Sequence, residues 1–475
     1  MQQPSSAPLV VGFDLDMTLI DTAPGFRDVL RTLGAELGVD FPVEEMTAKL
    51  GPPLDLLLAP YLDADAIGPA GDRFRALYPD YAIASVPTLP GAVEALAAVR
   101  GYGGRVLVVT GKYPANAQLH LDHLALDVDH LEGWVWGVGK ADVLRREGAS
   151  IYVGDHVHDV EGALAAGALS VSVLTGGCTR EELLAAGTHV VLDDLHEFPA
   201  WLDDHLLELR LDSLAADLRD RGSVLVAYSG GADSAFLLAA AVRALGPDRV
   251  AAATGYSHSL PQAERDPARD FAESLGVEVL TPETNEMERE GYRANGADRC
   301  YFCKAELIDV LAPIATARGL AYVATGTNAD DAVAGFRPGI RAASERGAIT
   351  PLRDAGLTKA QIRAASRRWD LPTWDKPAAA CLSSRVAYGI EVTPYRLGRV
   401  ERAESAARDL LAGGGLLNLR VRDLGDRASV EIDAALLPLA PDVESTLLDA
   451  VRRAGFDVAV VDAKGFRSGS MNESL

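Results

Sequence analysis

Two short stretches of the 475-residue sequence carry residue types and spacings that suit phosphate chemistry. In Asp14-Leu15-Asp16, two carboxylates one residue apart can divide phosphoryl transfer between a nucleophile and a proton shuttle. In Ser229-Gly230-Gly231-Ala232-Asp233-Ser234, a glycine pair lets the backbone approach an anion, and hydroxyl groups can donate hydrogen bonds to it. Asp233 can also hold a Mg²⁺ ion that bridges phosphate oxygens. The sequence therefore predicts two sites for phosphorylated ligands.

Candidate phosphoryl-transfer residues continue along the first part of the chain. Apolar runs there predict three buried strands, Leu9–Phe13, Val106–Val109 and Ile151–Val153. Further candidates follow these strands or lie between them: Thr110, Lys140, Asp155 and Asp159. The hydroxyl would bind phosphate, the ammonium would neutralise the transferred group, and the acids would hold Mg²⁺ with Asp14 and Asp16. Because the carboxyl ends of parallel strands meet at one sheet edge, we expect these side chains to form one site.

The order of these motifs resembles that of the haloacid dehalogenase superfamily of phosphatases. The resemblance implies a Rossmann-like, Mg²⁺-dependent domain over residues 1–205, with Asp14 as the nucleophile. The catalytic residues that it implies are Asp14, Asp16, Thr110 and Lys140. The segment from about residue 21 to 87 is mostly helical by periodicity and is similar to the cap that this superfamily inserts between its first two motifs. Such caps select the substrate and exclude water during transfer.

The Ser229–Ser234 stretch lies between apolar runs that predict a strand before it and a helix after it. A helix N-terminus after a tight turn is a ready site for phosphate. The stretch has no lysine, which excludes a Walker A motif, and it resembles the pyrophosphate loop of ATP pyrophosphatases, which split ATP into AMP and pyrophosphate to adenylate a substrate. The candidate ATP-binding residues are Ser229, Gly230, Gly231, Asp233 and Ser234, with Thr327 and Asp330 at the end of a later predicted strand.

Strand-like and helix-like segments alternate through the second half of the chain. The predicted strands are Val250–Thr254, Val277–Leu280 and Tyr322–Thr325, and the predicted helices are Leu206–Arg221, Pro267–Leu275 and Lys304–Ala317. This alternation predicts a parallel sheet with helices on both faces. The predicted fold class is α/β: a capped Rossmann-like phosphatase domain (1–205), a parallel-sheet ATP-pyrophosphatase domain (206–380) and a small C-terminal α/β domain (381–475).

A cysteine flanked by hydroxyl groups and an arginine stands in Ala380-Cys381-Leu382-Ser383-Ser384-Arg385. With the pyrophosphate loop and the motifs between them, this segment resembles the LarE family of ATP-dependent sulfur transferases, which convert pyridinium carboxylates to thiocarboxylates for the nickel-pincer nucleotide cofactor. The segment Gly465-Phe466-Arg467-Ser468-Gly469-Ser470 is also similar to the ending of that family. The resemblance implies that Cys381 handles the sulfur near the substrate adenylate.

Basic residues are concentrated in residues 351–422, where thirteen Lys and Arg stand against seven Asp and Glu. A carboxylated and phosphorylated nucleotide would favour such surroundings. The candidates for bidentate contacts with its phosphate or carboxylate groups are Arg385, Arg420 and Arg422.

Cys300 and Cys303 form a single CxxC pair, which alone suits zinc, redox or iron–sulfur sites. Cys381 is the only other cysteine in this half of the chain, so three thiolates are available. Three thiolates suit a [4Fe–4S] cluster with one open iron better than a closed zinc site, which takes four protein ligands. We expect the pair to lie on a loop before the helix Lys304–Ala317, with the fold bringing Cys381 to it. A sacrificial role of the Cys381 sulfur, without a cluster, is the alternative.

The formal net charge of −23 disfavours non-specific binding to nucleic acid, which needs clustered Lys and Arg. We expect small-molecule substrates instead: ATP, a pyridinium carboxylate nucleotide and a phosphomonoester. The sequence has no apolar run of about 18 residues, and Met1–Pro8 lacks the features of a signal peptide. We therefore expect a cytoplasmic protein without membrane association, and a homo-oligomer.

The combined prediction is a bifunctional enzyme. One half would adenylate a pyridinium carboxylate mononucleotide and insert sulfur, and the other would hydrolyse a phosphomonoester with Mg²⁺. A transfer-RNA thiolase and an amidotransferase stay open as alternatives of the pyrophosphate-loop class, although the acidic balance disfavours the first and the lack of an evident glutaminase nucleophile disfavours the second. A nucleotide-sensing scaffold with an inactive phosphatase is disfavoured by four intact candidate residues, Asp14, Asp16, Lys140 and Asp155.

Overall fold

The computed structural model describes residues 8–48, 50–333, 335, 337–377 and 380–467. The chain divides into two compact units, Met1–His205 and Leu206–Leu475. The residues Ser468-Gly469-Ser470, to which the resemblance in the C-terminal segment extended, lie outside the described residues.

The first unit is built on a parallel six-stranded sheet. Its elements are β1 (Val10–Phe13), α1 (Ala23–Leu37), α2 (Val43–Ala48), α3 (Leu54–Leu58), α4 (Ala64–Tyr81), α5 (Ala92–Gly101), β2 (Arg105–Val109), α6 (Pro114–His123), β3 (His130–Glu132), α7 (Lys140–Glu147), β4 (Ile151–Gly154), α8 (Val157–Ala166), β5 (Leu169–Val173), α9 (Arg180–Ala185) and β6 (Val190–Leu192). The strand order is β3-β2-β1-β4-β5-β6, so β1 is central and its neighbours β2 and β4 lie on opposite sides. Strand β1 is buried along its whole length, as expected for a parallel strand with both faces covered.

The order of strands makes β1 the switch point of this sheet. The chain runs outward from β1 to β2 and β3 on one side, and through β4, β5 and β6 on the other. Ligands of open parallel sheets bind at the carboxyl ends of the strands beside such a point. Helices α1 to α4 occupy the segment predicted as a cap and enclose their own apolar core, which includes Leu30, Leu33, Phe74 and Leu77.

The second unit contains a parallel four-stranded sheet and a three-stranded sheet. Its elements are α10 (Phe198–Arg221, which begins before the boundary), β7 (Val224–Ala227), α11 (Ala232–Leu245), β8 (Val250–Ala253), α12 (Arg265–Ser274), β9 (Glu278–Leu280), α13 (Glu290–Arg293), α14 (Arg299–Ala317), β10 (Tyr322–Thr325), α15 (Ala329–Val333), α16 (Pro338–Glu345), α17 (Pro351–Asp354), α18 (Lys359–Arg368), α19 (Pro394–Leu411), β11 (Leu419–Asp423), β12 (Arg427–Ile432), α20 (Pro441–Arg453) and β13 (Val458–Val461). The larger sheet has the order β10-β7-β8-β9, which makes β7 its switch point. The predicted α/β fold class is confirmed.

Three predicted helices begin earlier in the structure than in the sequence analysis. The helices predicted from Leu206, Pro267 and Lys304 begin at Phe198, Arg265 and Arg299. The last difference corrects the expectation that Cys300 and Cys303 lie on a loop. They stand three residues apart within the first five residues of α14, and this spacing puts both side chains on one face of the helix.

The smaller sheet has the order β11-β12-β13, with β11 and β12 antiparallel and β12 and β13 parallel. Its apolar core is shared with residues that come much earlier in the chain. Tyr292 is fully buried in this core, and Phe302 and Cys303 pack against it. The division of this half into domains 206–380 and 381–475 stays a prediction.

Candidate active sites

The first candidate site lies at the switch point of the six-stranded sheet. Asp14 follows β1, Thr110 follows β2, and Asp155 follows β4, so the three strand ends deliver these side chains to one place. Lys140 opens α7, and all of the predicted phosphoryl-transfer residues line one cavity of about 550 Å³, namely Asp14, Asp16, Thr110, Lys140, Asp155 and Asp159.

A buried lysine connects the acidic residues of this site. The Lys140 ammonium donates hydrogen bonds to Asp14 Oδ1 at 2.8 Å and to Asp159 Oδ1 at 2.6 Å. It also donates to the Tyr152 hydroxyl at 2.8 Å. Burial alone would lower the pKa of Lys140, but the two carboxylates outweigh it and raise that pKa well above its ordinary value. The lysine is therefore a fixed positive charge beside the candidate nucleophile.

Three carboxylates of the site are arranged to share one cation. Oxygen atoms of Asp14, Asp155 and Asp159 lie within 4.8 Å of one another, and all three residues are buried. Burial, and then the neighbouring negative charges, raise the pKa of Asp14 to about 7 and the pKa of Asp155 well above its ordinary value. Since crowded buried carboxylates are relieved by a hard divalent cation, the residues present fit Mg²⁺.

Asp16 has different surroundings from the three clustered acids. It accepts a hydrogen bond from Lys112 Nζ at 2.6 Å and another from the Thr22 hydroxyl. Burial raises its pKa, but the Lys112 charge and these hydrogen bonds outweigh burial and lower the pKa below its ordinary value. Asp16 is thus held ionised next to Asp14, while its role as a metal ligand stays a prediction. Lys112 stands two residues after Thr110 and was not among the candidate residues predicted from the sequence.

The second candidate site surrounds the turn between β7 and α11, at the switch point of the four-stranded sheet. The Ser229 backbone amide donates to Ser234 Oγ at 3.2 Å, and the two hydroxyl oxygens lie 3.1 Å apart. Gly230 has a φ of 72°, and a Cβ there would lie 2.7 Å from the Ala268 Cβ. Only glycine fits this tight turn, which keeps the N-terminus of α11 open to an anion.

Asp233 carries a buried oxygen that none of the described residues contacts with a hydrogen bond. Its Oδ2 accepts a hydrogen bond from Asn328 Nδ2 at 3.2 Å, whereas its buried Oδ1 has no hydrogen-bond partner among the described residues. Burial is the main cause that raises the pKa of Asp233. A buried carboxylate oxygen is costly to leave unpaired, so this atom fits a cation that arrives with a nucleotide.

Some of the residues that follow β10 line the cavity at the Ser229–Ser234 turn, and one of them is exposed to solvent. Gly326 and Thr327 line a cavity of about 440 Å³ together with the Ser229–Ser234 turn. Asp331 also lines it, whereas Asp330 is exposed and accepts a hydrogen bond from the Lys359 backbone amide at 2.7 Å. The contact of Asp330 with ATP stays a prediction. Four cationic residues that the sequence analysis did not single out line the same cavity: Lys304, Lys359, Arg363 and Lys376.

This cavity extends from the turn to two of the cysteines. Cys303 and Cys381 both line it, and Cys381 Sγ lies 3.0 Å from Ser383 Oγ. The buried Arg299 joins the two segments that carry cysteines, because it opens α14 and donates to the Ser383 carbonyl at 2.7 Å. Burial, followed by the Cys381 charge, raises the pKa of both Cys300 and Cys303.

The three cysteines lie near one another, but their sulfur atoms are not all close enough together to bind one shared metal ion. Within the described residues, only Asp14, Asp155 and Asp159 place three ligand atoms within 4.8 Å. Thiolates are ligands for both iron–sulfur clusters and zinc, so the iron–sulfur cluster at these three cysteines stays a prediction.

Comparison with known proteins gives related sequences for each unit. A family model described as haloacid dehalogenase-like hydrolase matches residues 11–164, and a second hydrolase-like model matches residues 139–198. A phosphoglycolate phosphatase of Rhodospirillum rubrum is 32% identical over 41% of this chain and 91% of its own length. The uncharacterized protein slr1717 of Synechocystis sp. is 39% identical over 57% of this chain and 99% of its own length.

The decisive relative is the pyridinium-3,5-bisthiocarboxylic acid mononucleotide synthase of Lactiplantibacillus plantarum, which is 33% identical over 55% of this chain and 94% of its own length. The chain belongs to this synthase family. A haloacid dehalogenase-like hydrolase domain precedes the synthase part. The predicted resemblances to the phosphatases and to the LarE family are both confirmed.

The arginines predicted to bind substrate in this synthase-family chain have protein partners. Arg385 Nε donates to Glu404 Oε1 at 2.9 Å and Nη2 donates to Oε2 at 3.3 Å, in a buried pair. Arg422 pairs with Glu431 at 2.9 Å and donates to the Ser384 carbonyl at 3.1 Å. Arg385 and Arg422 thus hold the segment that follows Cys381.

Arg420 is the third of these arginines. It donates to the Leu419 carbonyl at 2.8 Å and lies 5.4 Å from the Phe466 ring. Burial, and then the neighbouring Arg385 and Arg422, lower its pKa to about 10. An anionic ligand would relieve the repulsion among these three positive charges. Direct contact of Arg385, Arg420 and Arg422 with substrate stays a prediction. Among the described residues, no helix is long and apolar enough to cross a membrane.

Proposed function

We propose that the chain is a bifunctional enzyme whose synthase part adenylates a pyridinium carboxylate mononucleotide with ATP and replaces a carboxylate oxygen by sulfur. The observation that carries this proposal is the single cavity that joins the Ser229–Ser234 turn to Cys303 and Cys381. ATP bound at the turn would lie in the same cavity as the thiols, as two consecutive steps on one substrate require. The printed name of the L. plantarum relative supplies the substrate class.

In the first step, an oxygen of the substrate carboxylate attacks the α-phosphorus of ATP, and pyrophosphate leaves. The turn residues and the N-terminus of α11 would hold the phosphates, and Asp233 would hold Mg²⁺ through its unpaired Oδ1. The cationic residues Lys304, Lys359 and Lys376 line the cavity and would offset the negative charge that develops on the phosphates.

In the second step, a sulfur nucleophile attacks the acyl carbon of the adenylate, and AMP leaves with the C–O electron pair. Cys381 would hold the sulfur source next to the adenylate, and Cys300 and Cys303 would complete a three-thiolate site. A [4Fe–4S] cluster bound there would supply sulfide for transfer. Without a cluster, Cys381 would give up its own sulfur and become dehydroalanine.

The first unit would hydrolyse a phosphomonoester with Mg²⁺. Asp14 would attack phosphorus while the Asp16 carboxylate, which Lys112 keeps ionised, would accept a proton from the phosphate ester and pass it to the leaving alcohol. Thr110 and Lys140 would bind the phosphoryl oxygens, and the clustered carboxylates would hold the metal. The cytoplasmic location, the homo-oligomeric state and the absence of nucleic-acid and membrane partners belong to the same proposal.

The two activities are tested separately with two variants of the full chain. We expect Asp14→Asn to abolish phosphate release from phosphoglycolate while AMP formation from ATP and a pyridinium carboxylate mononucleotide persists. Asp233→Ala should lose AMP formation and keep phosphate release from phosphoglycolate. If Asp14→Asn hydrolyses phosphate esters at the parent rate, Asp14 is not the nucleophile, and if neither variant loses an activity, the proposed sites are wrong.

The cluster is tested by anaerobic purification and analysis of iron, acid-labile sulfide and zinc. We expect about four irons per chain, lost in Cys300→Ala and in Cys381→Ala. Cys178→Ala in the first unit is the matched control and should keep the iron. Iron-free protein that completes one turnover and then shows dehydroalanine at position 381 by mass spectrometry would establish the sacrificial route instead.

A further inference from the structure

The cavity of the phosphatase unit has aromatic side chains at its mouth that hydrolysis itself does not require. Trp134 and Trp136 both line the cavity, yet they are 63% and 36% exposed. The Tyr113 ring also lines it and lies 4.9 Å from the Trp134 ring. Exposed tryptophans beside an open cavity are costly in water, so these rings are available to a ligand.

The backbone at Trp134 is held in an unfavourable conformation. Its φ is 57°, in the left-handed region that bulky residues avoid. A hydrogen bond from the Trp134 amide to the Lys112 carbonyl at 2.9 Å fixes this conformation, and the Val135 amide donates to the Thr110 carbonyl at 3.0 Å. The loop that carries the ring is thus tied to the segment that carries the phosphate-binding Thr110. Strain retained at such a position indicates a functional role for the side chain that it presents.

A second row of rings leads from the mouth toward the phosphoryl site. The Trp136 ring lies 4.0 Å from the His158 ring, and the His158 ring lies 4.8 Å from the His156 ring. His156 directly follows Asp155, one of the three clustered carboxylates. Flat rings therefore line the path between the solvent and the place where phosphorus would be attacked.

The charges at the mouth favour a cation over an anion. Arg75 lies 5.9 Å from the Trp134 ring, but it is already paired with Asp72 at 2.9 Å and contacts Asp55 at 3.5 Å. Two carboxylates against one guanidinium leave this rim with a net negative charge. The face of a tryptophan ring attracts cations as well, and planar aromatic cations gain from stacking in addition.

We propose that this cavity takes a 5′-mononucleotide with a pyridinium base, whose ring stacks on Trp134 and Tyr113 while its phosphate reaches Asp14. A volume of about 550 Å³ lies within the range of small-ligand sites. The ionised Asp16 accepts the proton of the monoanionic phosphate ester, the Asp14 carboxylate attacks phosphorus, and the P–O bond to the ribose breaks as Asp16 passes that proton to the ribose oxygen. Water then attacks the aspartyl phosphate and gives a proton to Asp16, which passes it to the released phosphate, so that both carboxylates are regenerated. The inference rests on the proposed phosphatase function and narrows its substrate class.

The test measures phosphate release by the full chain with Mg²⁺ from three esters: nicotinamide mononucleotide with a cationic ring, AMP with a neutral ring, and ribose 5-phosphate without a base. We expect kcat/KM for the pyridinium ester to exceed that for each of the others by about tenfold or more, in line with the strength of cation–π and stacking contacts. In Trp134→Ala the ratio to ribose 5-phosphate should fall about tenfold, mainly through KM, and Trp134→Phe should restore part of it.

Tyr81→Ala is the matched control, since Tyr81 is an exposed aromatic residue at the end of α4. It should leave all three kcat/KM values unchanged. Equal or better hydrolysis of ribose 5-phosphate or AMP by the parent, or an unchanged ratio in Trp134→Ala, would overturn the pyridinium assignment while the phosphatase function stands. Failure to hydrolyse the three esters while phosphoglycolate is hydrolysed would overturn the pyridinium assignment alone, and failure with phosphoglycolate as well would overturn the phosphatase function itself.

Discussion

Replacing Glu404 by alanine should loosen the segment that carries Cys381. Glu404 is 6% exposed and Arg385 is 2% exposed, and two hydrogen bonds join them. Arg385 also donates to the Cys381 carbonyl at 3.0 Å, and Glu404 accepts a hydrogen bond from the Val421 amide at 3.1 Å. The pair therefore connects the Cys381 segment to α19 and β11.

The size of the effect follows from the burial of the pair. Alanine at position 404 leaves the Arg385 charge buried without its partner, which typically costs about 3–5 kcal/mol. The double substitution Arg385→Met with Glu404→Met removes both charges. It should lower the stability much less, because replacing a buried ion pair by apolar side chains often changes the free energy of unfolding very little. Asp409 is exposed on the same helix, and Asp409→Ala should change stability by less than about 0.5 kcal/mol.

Hydrogen exchange of the full chain, followed by mass spectrometry, measures this effect where it arises. Backbone amides of α19 and β11 should exchange about a hundred- to four-thousandfold faster in Glu404→Ala, from the free-energy cost above. Amides of β1 and β4 in the first unit serve as the internal reference. If α19 and β11 exchange alike in Glu404→Ala and Asp409→Ala, the buried pair of Arg385 and Glu404 does not hold this segment.

Three further predictions concern the two candidate sites. Asp233→Ala should lower the rate of AMP formation about a hundredfold, because it removes the buried carboxylate that would hold Mg²⁺; a parent-like rate would contradict this role. Gly326→Ala should weaken ATP binding measured by calorimetry, because the new Cβ would lie 2.9 Å from the Ser234 backbone nitrogen at the start of α11; an unchanged Kd would show that the turn can move aside. Removal of divalent cations with EDTA should stop phosphate release, and added Mg²⁺ should restore it; continued hydrolysis in EDTA would exclude the metal role of Asp14, Asp155 and Asp159.

The sequence predicted both sites because each is assembled from local signals. Asp14 and Ser229 come directly or almost directly after buried strands. The strand order of the first sheet brings the ends of β2 and β4 to the edge that carries Asp14, and the strand order of the second sheet brings the end of β10 to the edge that carries Ser229. An apolar run with a polar residue at its end can be recognised without knowledge of the rest of the fold.

Other features depend on tertiary contacts and have no local signal. Arg385 and Glu404 are nineteen residues apart and become partners only because α19 packs beside the Cys381 segment. A carboxylate on a helix is usually exposed, so its burial could not be expected from the sequence. Trp134 and Trp136 stand in an irregular loop, and only the fold shows that they border the phosphoryl site. The start of α14 was missed because the CxxC segment lacks helical periodicity before Lys304.

The product of ATP in the presence of a pyridinium carboxylate mononucleotide tests the bifunctional account most directly. The measurement uses the full-length Asp14→Asn variant with Mg²⁺, so that phosphate esters formed by the synthase part are not hydrolysed, and it separates the products by chromatography with mass spectrometry. We predict equal amounts of AMP and pyrophosphate together with a thiocarboxylate product. ADP and phosphate as the main products, or consumption of ATP that does not depend on the pyridinium substrate, would contradict the account.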